Sequence, residues 1–198
     1  MTTSKPVFIG VDVGTGSARA GLFDNKGNLL GSAAYPIAMN RPRADFVEQD
    51  SENIWDSVCK SVHDALEKAG VSGGDVAAIG FDATCSLVIR DTANKPLGVT
   101  PGGADNWDVI VWMDHRATRE AEECTATGSK VLEYIGGTMS PEMEIPKLMW
   151  LKRHNNAAWN KMGRAYDLAD FLSFRATGKN DRSCCTVTCK WTHLAHQD

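Results

Sequence analysis

Asp12-Val13-Gly14-Thr15-Gly16-Ser17 decides how this 198-residue chain is read. It follows a short β-prone segment, Val7 to Val13. It precedes another, Ala18 to Asp24, whose apolar Ala20 and Leu22 share one parity. Two glycines with hydroxyl residues among them let a backbone come close to an anion, where peptide N–H groups and hydroxyls bond phosphate oxygens. Arg19 adds a charge-assisted contact. Asp12, at a strand end, is placed to hold Mg²⁺ directly or through water, because that ion takes a few carboxylates together with waters and nucleotide phosphates. Two other phosphate loops are excluded. No Gly-Lys-Ser/Thr follows four spacers, so this is not a P-loop. A dinucleotide fingerprint needs a third small residue and a long helix, and the turn Asn25-Lys26-Gly27-Asn28 leaves too few residues for one. The loop therefore joins two antiparallel strands. A plain hairpin with its glycines at positive φ is the alternative.

Outward from the loop, Leu29 to Tyr35 completes an antiparallel meander. Asp50 to Gly70 carries Ile54, Val58, Val62, Ala65 and Ala69 at three- and four-residue steps, which predicts a helix capped by Asp50 or Ser51 and closed by Gly70. Val76 to Phe81, Leu87 to Ile89 and Val109 to Met113 read as strands, with a turn at Lys95-Pro96 and a loop from Gly102 to Asp108. Ala117 to Cys124, Lys130 to Ile135 and Lys147 to Lys152 read as helical. Asp170 is expected to cap a short helix, Phe171 to Ala176, that Gly178 ends. Strands alternating with helices make an α/β class, and at roughly 150 residues per domain the chain is one domain, 1–198.

Composition narrows the function. Hydrophobic residues at 42% and charged residues at 23% exclude a disordered, collagen-like or coiled-coil chain. The charge of −4 excludes a general nucleic-acid binder, which needs a basic surface. Met1 to Gly10 lacks the apolar core of a secretion signal, and no apolar stretch approaches the ~20 residues of a membrane span. Six irregularly spaced cysteines fit a reducing compartment, so a cytoplasmic protein is expected. Cys185, Cys189, His193 and His196 invite a metal reading. On one helix, however, they span about 16 Å at ~1.5 Å per residue, too far to converge on one tetrahedral zinc.

The residues from Ile9 to Asp24 resemble the first phosphate motif of the FGGY carbohydrate kinases, within the actin/hexokinase/Hsp70 ATPase fold. Val47 to Trp55 resembles the family's next block, Ile79 to Val88 and Val111 to Ala117 its sugar-site strands, and Lys147 to His154 the second half of its signature. Glu142 and Glu144 stand where small or aromatic residues are usual, which points away from glycerol kinases. Asp82-Ala83-Thr84-Cys85-Ser86 with Trp112-Met113-Asp114-His115-Arg116-Ala117 is most similar to the D-ribulokinase-like branch. The resemblance implies an actin-like (ribonuclease H-like) fold with a mixed sheet flanked by helices. It makes this chain the first of two family domains, incomplete and without the second. It implies ATP and Mg²⁺ as cofactors and a sugar as the partner: phosphorylation of a ketopentose, D-ribulose to D-ribulose 5-phosphate. The alternatives are L-ribulose, xylulose or glycerol as acceptor, or a truncated sugar-binding module without turnover. The base, an Asp in a Gly-Asp motif, is expected beyond Asp198, so the chain alone is expected to be inactive. A homo-oligomer of the longer protein stays open; a truncated first domain is expected to expose apolar surface and so to self-associate.

By the same resemblance Gly14, Thr15, Gly16 and Ser17 cradle phosphate, Arg19 neutralises it, and Asp12 holds the metal. The alternative for Arg19 is a solvated strand residue. Thr84, Cys85, Ser86, Asp114, His115, Arg116, Glu142 and Lys190 are the substrate-binding residues expected. Strand-end packing is the alternative for the first three, a helix N-cap for Asp114, and plain surface charge for Glu142 and Lys190. Asp82 is expected to be buried and paired.

Overall fold

The computed structural model describes residues 6–197. In chain order it runs β1 (Val7–Val13), β2 (Ser17–Phe23), β3 (Leu29–Pro36), β4 (Met39–Asn40), β5 (Glu48–Gln49), α1 (Ser51–Ala69), β6 (Val76–Ala83), β7 (Leu87–Asp91) and β8 (Val109–Ile110). It continues with α2 (Thr118–Ala126), α3 (Glu144–His154), α4 (Asn156–Lys161), β9 (Met162–Asp167), α5 (Leu168–Thr177) and α6 (Cys184–Lys190). These elements form two compact units. One holds the segments up to Ala38 and Glu52–Thr84, the other Met39–Ser51 and everything from Cys85 onward.

The first unit is a mixed four-stranded sheet, β3-β2-β1-β6, with β1 antiparallel to β2 and parallel to β6. Alternation sets its faces: β1 buries Val7, Ile9, Val11 and Val13 and exposes Phe8, Gly10 and Asp12. Helix α1 packs through Ile54, Val58, Ser61 and Ala65, spaced at three and four residues and at most 2% exposed. Gly70 ends it at φ 64°, where a side chain is disfavoured. On the opposite face, strand register sets Gly10 beside both Gly21 and Gly80. The three glycines floor an open concavity of about 610 Å³. Phe8, Leu29, Leu30 and Ile79 of this unit are among the exposed large apolar residues. Exposed apolar surface of this kind drives association. Light scattering is therefore expected to show a mass that rises with concentration and falls back in Phe8→Lys; a wild-type monomer at every concentration would contradict this.

The second unit carries an antiparallel sheet, β4-β5-β8-β7-β9. Its core gathers Leu87, Ile89 and Ile110 from strands with Phe46, Trp150 and Leu151. Phe46 meets Trp150 edge-on at 5.4 Å. A smaller cluster joins Ala121, Leu132, Met139 and Met143. Asn155 ties a loop to α4: its amide donates to Gly98 O and Val99 O while its Oδ1 accepts from Ala158 N. No helix among the described residues is long and apolar enough to cross a membrane.

Several sequence expectations need correction. The strand from Val109 stops at Ile110, and Lys130–Tyr134 is a 3₁₀ helix. Asp167, not Asp170, caps α5 by accepting from Ala169 N at 3.2 Å. Asp170 lies inside that helix, buried, accepting from Ser183 N and Thr186 Oγ1. Strand β9 and helices α4 and α6 were not expected.

Candidate functional site

The phosphate-loop candidates lie in the first unit. Gly14-Thr15-Gly16 is the bend between β1 and β2, closed by Gly14 N–H to Ser17 O at 3.0 Å. Gly16 O accepts from Ile37 N, and Val13 O accepts from Thr84 N, both at 3.0 Å. These bonds fix the bend from both sides. Neither Gly14 nor Gly16 has a positive φ, so the hairpin alternative loses its reason for glycine. What glycine supplies here is a missing Cβ. One built on Gly16 meets nothing within 4 Å; one on Gly14 comes closest to Arg19 Nη2, a flexible side-chain end, at 2.9 Å, with Ser17 O at an ordinary contact distance of 3.8 Å. The room is therefore left open toward solvent, as a close-approaching anion requires.

Asp12 and Arg19 face each other across β1 and β2 and pair at 3.3 Å, both more than half exposed. Arg19 Nε also donates to Ser17 Oγ at 3.3 Å. Arg19 is thus bound to the loop's own acidic and hydroxyl groups rather than simply solvated. Asp82 is exposed, not buried: parallel register sets it beside Asp12. Two carboxylates on neighbouring strands repel. With the Thr15 and Ser17 hydroxyls nearby in sequence they form an all-oxygen donor set suited to a hard cation such as Mg²⁺. The like-charged pair Asp12/Asp82 is not legible in the sequence, which does not reveal strand register.

The sugar-site candidates from Cys85 onward lie in the second unit. Three of them come together on its surface: Glu142 Oε1 lies 3.4 Å from His115 Nε2, and Glu142 Oε2 lies 3.9 Å from Lys190 Nζ. Lys190 and Glu142 are about a quarter exposed and His115 half exposed. Carboxylate, ammonium and imidazole side by side offer a sugar hydroxyl both donors and acceptors. Cys85 belongs to the same neighbourhood. Burial pushes its thiol up to about 11, with the Lys190 charge opposing. It stays a neutral thiol and is no nucleophile. Thr84 is assigned to the first unit, at the end of β6.

The other candidates brace rather than line a site. Ser86 is fully buried, its Oγ accepting from Trp112 N at 3.1 Å. Asp114 is fully buried and accepts from Val47 N at 2.6 Å and from Arg116 N at 2.9 Å. The cap of α2 falls at Ala117, so the N-cap alternative for Asp114 fails as well. The Arg116 guanidinium is enclosed: Nε reaches Asp114 Oδ1 at 2.9 Å, and Nη2 reaches Asp114 Oδ2 at 2.8 Å and Glu48 Oε1 at 3.0 Å. It stacks 4.1 Å from the Phe46 ring centroid. The side chains of Ser86, Asp114 and Arg116 are thus buried and bonded to the protein's own groups on either side of the exposed His115. A parallel network, Arg90 Nη1 to Asp108 Oδ2 at 2.8 Å and to Ser51 Oγ at 2.7 Å, was unforeseen; its members are far apart in sequence. The tail residues Cys185 and Cys189 lie on α6, which ends at Lys190, before His193 and His196. The residue grouping with metal-ligand spacing among the described residues is instead His63, Asp64 and Glu67 on α1. Asp64 there already accepts from Tyr35 OH.

A mixed sheet that ends in a glycine bend with flanking carboxylates marks an actin-like ATPase fold. Solved structures agree on that fold. Ligand-bound xylulose kinase from Lactobacillus acidophilus superposes with TM-score 0.74 at 24% identity, over 88% of this chain and 34% of that one. Plasmodium falciparum glycerol kinase with ADP superposes with TM-score 0.71 at 14% identity, over 97% of this chain and 42% of that one. Residues 7–192 match the N-terminal domain of the FGGY family of carbohydrate kinases, and the chain belongs to that family. It is 46% identical over 185 residues to a D-ribulokinase of Saccharomyces cerevisiae, covering 92% of this chain and 26% of the relative. It is 44% identical over 191 residues to a human FGGY carbohydrate kinase domain-containing protein, covering 96% and 34%. A glycerol kinase of Allorhizobium ampelinum is 32% identical over 179 residues. The chain thus spans about a quarter to a third of the length of these relatives.

Proposed function

We propose that this chain is the phosphate- and sugar-binding domain of an ATP-dependent ketopentose kinase that phosphorylates a primary hydroxyl of D-ribulose to give D-ribulose 5-phosphate. The His115–Glu142–Lys190 cluster carries the reading. It places Glu142, one of the two acidic groups that depart from the usual family pattern, within reach of a cation and an imidazole at a solvent-facing position. The higher identity to a protein named a D-ribulokinase than to a glycerol kinase supports D-ribulose as the acceptor. The six cysteines, all free thiols, support a reducing, cytoplasmic setting.

Each group then has a task. The bend at Gly14–Ser17 lies against the terminal phosphates of ATP, and Arg19 turns from Asp12 toward them to offset their charge. Asp12 and Asp82 would hold Mg²⁺, which would offset phosphate charge when bound. Glu142 accepts from sugar hydroxyls, Lys190 and the Cys85 thiol donate to them, and His115 orients Glu142. Orientation of the acceptor hydroxyl is the contribution this unit makes to phosphoryl transfer.

Titration calorimetry of the chain with D-ribulose, L-ribulose, D-xylulose and glycerol tests the acceptor. D-ribulose is expected to bind tightest. Glu142→Ala removes hydrogen bonds to a charged group and is expected to weaken it about 10- to 100-fold with the melting temperature unchanged. Equal affinity for glycerol, or an unaffected Glu142→Ala, would refute the assignment.

A further inference from the structure

Beneath the exposed cluster lies a second layer that none of the expected roles uses. Glu144 and Lys147 on α3 are fully buried and Asp167 on β9 is 1% exposed. Both Glu144 oxygens, the Lys147 ammonium and Asp167 Oδ2 make no hydrogen bond, and Lys147 Nζ stands 3.7 Å from Glu144 Oε2. Buried ionisable groups left this way are costly unless they share or shed charge. The Lys190 charge reaches all three: it opposes the rise of Glu144 and Asp167 and adds to the lowering of Lys147.

We propose that Glu144, Lys147 and Asp167 form one buried proton-sharing unit that positions Lys190, and through it Glu142, for the sugar. The sugar part rests on the function proposed above; the proton sharing does not. Burial pushes Glu144 up to about 8, with Lys147 opposing and Asp167 adding to the rise. Burial raises Asp167 to about 6, against its bond from Ala169 N, with Asp170 raising it further. Burial lowers Lys147, against the charges of Glu144, Asp114 and Glu142. The Cys85 thiol shares this neighbourhood, feeling the charges of Asp167, Lys190 and Glu144 and the Cys189 thiol. At neutral pH the Glu144 carboxyl keeps its proton, and Lys190 stays with Glu142 at the surface. When Glu144 ionises, a new negative charge below draws the Lys190 ammonium inward, away from Glu142. Glu144 and Asp167 are thus positioning residues, and a small residue at 144 would remove the device.

Carboxyl-carbon and lysine-nitrogen NMR titrations of the full chain test this without any sugar. Glu144 is expected to titrate near 8, and the Lys190 ammonium and Glu142 carboxyl signals to move with the same midpoint. In Glu144→Gln the Asp167 midpoint is expected to stay near 6, because burial rather than Glu144 raises it, and the alkaline movement of Lys190 to vanish. Glu144 titrating near 4.5, or Lys190 indifferent to it, overturns the proposal. Calorimetry supplies the second arm: D-ribulose affinity is expected to fall roughly threefold or more from pH 7 to 9 in the wild type and to stay flat in Glu144→Gln. A chain that shows the coupled titration but binds no sugar refutes the functional reading and the sugar role, and keeps the proton-sharing unit. Equal pH dependence in both proteins overturns the positioning role.

Discussion

Arg116→Met is expected to lower the stability of the chain by about 3–5 kcal/mol, the cost of leaving buried charge without its partner. The guanidinium is enclosed between Asp114 and Glu48, which are 0% and 1% exposed, and its flat face lies on Phe46 and Trp150. Methionine fills much of the volume, so the loss comes from the two stranded carboxylates rather than from a cavity. Arg116→Lys is expected to recover only part of it, because an ammonium cannot reach Asp114 at both oxygens and Glu48 together as the planar fork does. Adding Asp114→Asn and Glu48→Gln to Arg116→Met removes the stranded charges and is expected to return a large share. Urea unfolding of the four proteins gives the comparison. A loss in Arg116→Met below about 1 kcal/mol would show that these carboxylates are already neutral or hydrated. Asp114 also holds the backbone of Val47 and flanks His115. Sugar affinity is therefore expected to fall in Arg116→Met even at temperatures where the chain stays folded.

The same network shows what the sequence can and cannot reveal. The meander β1–β3 and helix α1 are legible because their apolar residues repeat at the period of a strand or a helix, and the bend between β1 and β2 is marked by its glycines. Residues such as Asp114 and Arg116 are legible as a pair of opposite charges but not as a buried one. Burial depends on Glu48, which approaches from 68 positions away. Asp82 fails for the related reason that its neighbour Asp12 is 70 positions off and is set beside it only by parallel register. Strand β9 was missed because Met162-Gly163-Arg164-Ala165-Tyr166-Asp167 has no clean alternation. It is a strand because β7 needs a second antiparallel partner, an influence of tertiary packing that outweighs local preference. Gly163 is needed there, since a Cβ would lie 2.6 Å from Thr92 Cα. Within the candidate site, Glu142 and Lys190 are legible by motif, whereas Glu144, Lys147 and Asp167 carry their meaning only in three dimensions, as buried groups with charged atoms left without hydrogen bonds.

Two glycine substitutions separate architecture from ligand binding in the first unit. Gly31→Val is expected to destabilise the chain by about 3 kcal/mol or more, at the upper end of overpacking costs. Gly31 lies on β3 where the strand passes over α1. A Cβ there falls 2.6 Å from Ala65 O and 3.2 Å from Ala69 N, backbone atoms that cannot turn aside. The strand must lift from the helix, and the buried contacts of Ala65 and of Leu22, the register partner of Gly31, go with it. Gly16→Ala meets nothing within 4 Å and keeps an ordinary φ, so its stability is expected to change by less than about 0.5 kcal/mol. If the bend at Gly16 exists to let phosphate approach, that harmless methyl occupies the approach. Amide shifts of Gly14, Thr15 and Ser17 on adding Mg²⁺ and ATP are then expected in the wild type and to weaken about tenfold in apparent affinity in Gly16→Ala. Should Gly16→Ala bind as well as the wild type while remaining equally stable, the open space at the bend has another purpose, and the assignment of the β1–β2 turn to triphosphate falls. Should it unfold instead, glycine at 16 is architectural after all. Only loss of phosphate response with stability retained agrees with a Cβ-free approach path.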